Sequence, residues 1–258
     1  MDTLSGELWG LGTAGLVEEA DGLRAFFDDS TEREAICARF ETEWRNETPF
    51  DHSRVQRLEC DPVLIGQRFF VAPSWVTQPT PPNRFRLAID ATSAFGSGRH
   101  ESTQLCVEAL EKHLKPGDVV LDIGCGSGIL AAAATLLGAK TVVSCDIHPD
   151  SVGAARALIE SAIFVGSADG MRSHSGDLVL ANISARVLDR IARDLRRVGK
   201  PAGKTILSGF VRENPPKRFK PREVWEKGDW QCWVCGAEDI EAAAEAGEPA
   251  AHAEQWWL

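Results

Sequence analysis

Gly124, Gly126 and Gly128, spaced GxGxG and preceded by Asp122, are the residues of this chain whose types and spacing point most directly to chemistry. They interrupt the run VVLDIGCGSGILAAAATLLGAKTVVSCD (119–146), where an apolar strand turns into a helix beginning near Ile129. Glycines let a ligand approach the backbone closely, and the first turn of the following helix offers N–H donors and the positive end of its dipole. Gly138 stops that helix, residues 141–145 read as a second parallel strand, and Asp146 falls at its carboxyl end. An acidic side chain placed there accepts hydrogen bonds from a ribose diol. A dinucleotide fingerprint would need GxGxxG, but Ile129 stands three after Gly126, so the spacing favours S-adenosylmethionine over NAD.

These groups need a scaffold, and the alternation of apolar runs supplies one. Residues 162–166 and 177–181 read as further strands, the second ending at Asn182, and residues 205–210 as another. Residues 223–226 and 230–235 form an antiparallel pair around Gly228-Asp229. A second glycine-rich segment, AFGSGRHEST (94–103), leads into a helix from about residue 102 to 114, so two glycine loops deliver helices in one domain. Residues 84–90 alternate as a strand ahead of it.

The first 72 residues read as a separate α+β unit. Asp21-Gly22 supplies hairpin turn chemistry between Leu16-Val17 and residues 23–27. Thr31 and Glu34 form a capping box for a helix running toward Trp44, and residues 55–60 and 63–71 add strands. Pro73, Pro79, Pro81 and Pro82 make residues 73–83 a stiff linker. The expected division is thus 1–72, a 73–83 linker, an 84–237 cofactor-binding domain, and a 238–258 extension rich in Ala and Glu.

Composition bounds the rest. A chain of 258 residues, 43% hydrophobic, buries a full α/β core with room for a small second domain. A net charge of −10 argues against a general nucleic-acid binder and suits a basic protein partner. The acidic start MDTLSGELWG has no signal-peptide pattern and no apolar run is long enough to span a bilayer, so the expectation is cytoplasmic. Seven cysteines, an odd number, suit a reduced chain. Cys232 and Cys235 are spaced CxxC, but in a strand they point to opposite faces and no second pair completes a zinc set; core burial is expected, and no metal.

The run AFGSGRHESTQLC, then VLDIGCGSGILA, CDIHPD and LANI, together with LGTAGLVEE and VAPSW, is similar to the PrmA family of ribosomal protein methyltransferases, which act on protein eleven of the large subunit. The resemblance implies a class I, S-adenosylmethionine-dependent methyltransferase: a Rossmann-like α/β domain with a seven-stranded, mainly parallel sheet, and a small ferredoxin-like α+β amino-terminal domain that recognises the substrate. Carried over, the cofactor contacts are Thr103, Gly124, Asp146 and Asn182, with Gly126 beside them and Phe95 covering the ligand. Asn182 is also the candidate catalytic group, orienting the incoming amine, and Asp169 a candidate for the adenine amino group. His100 braces the loop, His148 takes no catalytic part, and Asp122 supports the glycine turn.

The implied reaction methylates lysine side-chain and/or N-terminal amines of that ribosomal protein, by a monomer with no direct nucleic-acid or membrane binding. Ser97, Arg99, Glu101 and Ser102 depart from the family's GTGTHPTT loop and put the protein substrate in question more than the cofactor. Methylation of another protein or a small molecule, or binding without catalysis, are the competing readings.

Overall fold

The computed structural model describes residues 11, 15–19, 22–27, 33–40, 42, 61–89 and 98–241. The chain divides into two units, Met1–His52 and Ser53–Leu258. In the first, β1 (Gly15–Glu19) and β2 (Gly22–Phe26) pair antiparallel with Glu19 opposite Gly22, the hairpin expected from Asp21-Gly22. Helix α1 (Arg33–Phe40) follows. Thr31, the strand expected over residues 55–60, and most of the carboxyl extension lie outside the described residues.

The division at residue 72 does not hold. The expected single strand over residues 63–71 is a hairpin, β3 (Val63–Ile65) and β4 (Phe69–Ala72), and β4 pairs in parallel with β5 (Phe85–Ala88). Parallel pairing needs a crossover connection, and the proline-rich stretch is that crossover rather than a linker between domains. The hairpin is tied down by charge-assisted hydrogen bonds: the amides of Gln67 and Arg68 donate to Glu111 on helix α2 (Glu101–His113), each at 2.9 Å. Ile65, Phe69 and Leu87 then enter the same core as Leu105 and Leu110 of α2. Proline composition announces stiffness, but not which elements lie on either side of it.

The main sheet has seven strands. In chain order they are β6 (Val119–Ile123), β7 (Thr141–Asp146), β8 (Ala162–Val165), β9 (Gly176–Asn182), β10 (Gly199–Val211), β11 (Glu223–Lys227) and β12 (Trp230–Gly236). The spatial order is β11-β12-β10-β9-β6-β7-β8, with β12 alone antiparallel to its neighbours. Helices α3 (Ile129–Leu136), α4 (Pro149–Leu158) and α5 (Ala185–Val198) connect successive parallel strands. The order reverses at β6, which leads to β7 on one side while β9 takes the other. In such sheets the crevice at the carboxyl ends of these strands is where ligands bind.

Each face of the sheet carries its own core. Val120, Leu178, Leu180 and Ile206 pack under α2 and α3, whereas Leu121, Ile123, Val179 and Leu207 pack under α5. Strand alternation therefore splits the CxxC pair: Cys232 belongs to the first core and Cys235 to the second, both fully buried. Burial pushes the Cys235 thiol up to about 12, and the Cys106 side chain and burial push Cys232 well above the ordinary thiol value. No helix among the described residues is long and apolar enough to cross a membrane.

Candidate functional site

The carboxyl ends of β6, β7, β9 and β10 and the start of α2 enclose a cleft of about 710 Å³. Thr103, Gly124, Gly126, Asp146 and Asn182 all line it, so five of the six expected site residues converge on one place. Phe95 lies outside the described residues.

The glycine turn is bonded internally and to the neighbouring strand. Gly124 and Cys125 both donate to the Cys145 carbonyl, at 2.9 and 3.0 Å, and Gly128 donates to Cys125 at 2.8 Å. The Gly126 amide donates to Asp146 Oδ2 at 2.9 Å. These amides are consumed in holding β6 against β7. What the turn offers a ligand is bare backbone: Gly124 and Gly126 both sit at positive φ, and a side chain on Gly124 would meet Ile183 at 2.7 Å.

Asp146 is fixed from two sides. Besides Gly126 on Oδ2, the His148 amide donates to Oδ1 at 3.0 Å. With only 7% of its surface exposed, the carboxylate has one orientation, and each oxygen keeps a lone pair for a further donor. A rigid acceptor pair at the end of the second strand matches two vicinal hydroxyl groups.

Across the cleft, Thr103 is fully buried in the first turn of α2, and its Oγ1 accepts from Asn182 Nδ2 at 3.3 Å. This bond sets the amide plane. Asn182 Oδ1 is then a buried acceptor that has no partner among the described residues. Thr103 is therefore more than helix packing. His100 is the N-cap of α2, its Nδ1 accepting from Ser102, and its ring meets Trp230 edge-on at 4.3 Å. These contacts fix the start of α2 against β12.

Below the turn lies a second unsatisfied pair. Asp122 and Ser144 are register partners on β6 and β7, both fully buried, and neither side chain makes a hydrogen bond of ordinary geometry. Burial, then the Asp146 charge, raises the Asp122 carboxyl to about 7, against a smaller opposing pull from the Ala131 amide. The same burial pushes the thiols of Cys125 and Cys145 upward, Cys145 to about 12. A carboxyl that keeps its proton when folded but loses it above pH of about 4 when unfolded makes the protein less stable as pH rises from about 4 to about 7. Asp122→Asn removes this proton without changing the shape. Denaturant melts at pH 5 and pH 8 should show wild type losing roughly 2–3 kcal/mol relative to the variant over that interval. An equal gap at both pH values would contradict it.

Other candidates fall away. Asp169 is exposed, its Oδ1 accepts from the Gly170 amide, and it does not line the cleft; Gly166 and Ser167 of the same loop do. Residues missed from the sequence are Ile183, Val187, Gly209 and Trp230. Gly209 had a usable signal, a glycine inside an apolar strand. It sits at a bulge in β10 with φ +93°, and a Cβ there would lie 2.6 Å from the Ile183 carbonyl oxygen, so only glycine lets β10 pass the turn after Asn182. Trp230 is brought in from the antiparallel strand, a placement that no local pattern announces.

The residues fit S-adenosylmethionine. A twin acceptor is set for a diol, the glycine turn leaves space that a Cβ would fill, and one buried carbonyl is left for a donor.

The comparisons agree with the geometry. The family model described as "Ribosomal protein L11 methyltransferase (PrmA)" matches residues 13–238. A protein named ribosomal protein L11 methyltransferase from Burkholderia ambifaria is 38% identical over 194 residues, covering 72% of this chain and 64% of its own length. The namesake from Burkholderia multivorans is 37% identical over the same shares. The chain thus spans less than two thirds of these relatives. A crystal structure titled ribosomal protein L11 methylase, from Lactobacillus delbrueckii subsp. bulgaricus, superimposes with a TM-score of 0.59 at 28% identity, covering 67% of this chain and 96% of that one. Matched along most of its length and folded as a class I methyltransferase, the chain belongs to the ribosomal protein L11 methyltransferase family.

Proposed function

We propose that the chain transfers the methyl group of S-adenosylmethionine to lysine side-chain and/or N-terminal amines of ribosomal protein L11. The observation that carries this is the pairing, across one cleft, of a carboxylate locked by Gly126 and His148 with the Thr103-oriented amide of Asn182. The matched relatives are named for this reaction.

Asp146 holds the ribose hydroxyls, and bare backbone at Gly124 and Gly126 lets the sugar and methionine portions lie against the turn. When bound, S-adenosylmethionine supplies a methyl carbon activated by a positive sulfur, which departs as a neutral thioether when an amine attacks in line. The chain must present that amine neutral and aligned. The apolar walls of Ile183, Val187 and Ile191 lower an ammonium's pKa by desolvation, and Asn182 Oδ1 accepts an N–H and so aims the lone pair. The amino-terminal α+β unit is assigned substrate recognition.

Intact-mass spectrometry of purified L11 after incubation with this chain and S-adenosylmethionine is the test. Gains in methyl-sized steps are expected with wild type and not with Asp146→Ala. No gain, with cofactor binding shown separately by calorimetry, moves the assignment to another acceptor.

A further inference from the structure

Charge is distributed very unevenly along this acidic chain. Residues 185–222 carry twelve Lys and Arg against three Asp and Glu, a local +9, so the remainder carries −19. Much of the excess lies on α5, where Arg186, Arg190, Arg193 and Arg197 recur at i, i+4, i+7 and i+11, one stripe of the helix. The segment after β10 folds back onto that stripe. The amides of Lys217 and Arg218 both donate to Asp189 Oδ1, at 2.8 and 2.9 Å, and Phe219 is buried in the core beneath α5.

Asp189 lies three residues after Arg186 and four before Arg193, so the Lys217 backbone crosses between the two arginines. Arg186, Arg193 and Lys217 are all exposed. The two acids on α5 are occupied: Asp189 by those amides and Asp194 by Arg197. Lys200 pairs with Asp177, Arg212 with Glu226, and Arg222 and Lys220 with Glu238, Asp239 and Glu241, which leaves α5 and Lys217 as the patch.

We propose that this face, α5 with residues 217–218, docks the phosphate backbone of RNA. A protein partner would call for an apolar anchor, because aromatic and aliphatic side chains dominate the energetics of protein interfaces. The exposed large hydrophobic residues of the described chain are Leu64, Trp75, Leu136, Ile147, Val165 and Val224, none of them in this segment. Exposed guanidinium groups on a rigid helix, with no apolar centre, suit a polyanion bound through charge and bidentate hydrogen bonds. The net −10 that argues against nucleic acid is an average over two opposed regions. RNA rather than another polyanion rests on the function proposed above, since a ribosomal protein is met beside RNA.

The test is fluorescence anisotropy with a labelled 20-nucleotide single-stranded RNA and the full chain at 50 mM and 200 mM salt. Binding is expected to weaken with salt, and R186A/R193A/K217A is expected to bind at least tenfold more weakly at 50 mM. Loss of three phosphate contacts should also reduce the slope of log K against log salt by about 2. No binding at 50 mM, an unchanged triple variant, or equally tight capture of a polyglutamate of matching charge would overturn the proposal, the last in favour of an acidic protein partner. If the triple variant melts early, R186A and R193A singly carry the comparison. Because anisotropy needs no methyl transfer, failure here leaves the mass result on L11 standing, and the reverse.

Discussion

Asp146→Ala is expected to weaken S-adenosylmethionine binding by about 10²–10⁴-fold. Two hydrogen bonds from hydroxyl groups to an ionised carboxylate contribute about 1.5–3 kcal/mol each, and the substitution removes both. It does further damage, because Gly126 and His148 lose the oxygens that accept their amides. Asp146→Asn separates these effects. It keeps one acceptor for the backbone but forfeits the charge, so its affinity should fall between the other two. Titration calorimetry reads all three proteins directly. A dissociation constant for the alanine variant within threefold of wild type would remove Asp146 from the binding site. The substitution carries a second signature: the Asp146 charge is a cause of the high Asp122 pKa, so Asp122 should titrate lower in either variant.

Asn182→Ala should act on rate instead. Its Oδ1 is a buried acceptor without a partner among the described residues, and its amide is held by Thr103 from a different element. On the proposed role of aligning the amine, its loss is expected to lower kcat by about a hundredfold, the cost of roughly an ångström of misplacement. Cofactor affinity should change by less than tenfold. Thr103→Val keeps the volume at Thr103 but frees the amide to turn, so it should reproduce part of the loss. Single-turnover methylation of L11 followed by mass spectrometry measures both. If Asn182→Ala instead abolished cofactor binding with normal turnover at saturation, the residue would be a ligand contact only.

The sites that could be read from the sequence are those where local chemistry and topology coincide. Gly124, Gly126 and Asp146 sit within one strand-turn-helix-strand unit, so their convergence follows from the chain's immediate path. Thr103 and Asn182 are 79 residues apart and were reached through a family resemblance; only the folded sheet shows them bonded. Trp230 escapes a reading of the sequence because the last strands return to the site from the far edge, a matter of sheet order rather than of pattern. The misplaced domain boundary has the same origin. By sequence, residues 63–72 look like a continuation of the amino-terminal unit, and it takes Glu111 and the parallel partner β5 to show that they belong with the cofactor-binding domain. The glycine turn shows what spacing leaves out: its residues line the cleft, while the amides of Gly124 and Cys125 are already taken by the Cys145 carbonyl.

The buried thiols allow the molecule's breathing to be timed. Cys125 lies in the glycine turn and Cys145 under it, whereas Cys232 stands inside the packed core near the other end of the sheet. Thiols this inaccessible, with pKa values pushed upward, alkylate only when the chain opens, so each one's modification rate measures the opening of its own neighbourhood. Occupancy of the cleft would then slow Cys125 selectively and leave Cys232 to follow global unfolding, so one reagent would time local and whole-molecule motion.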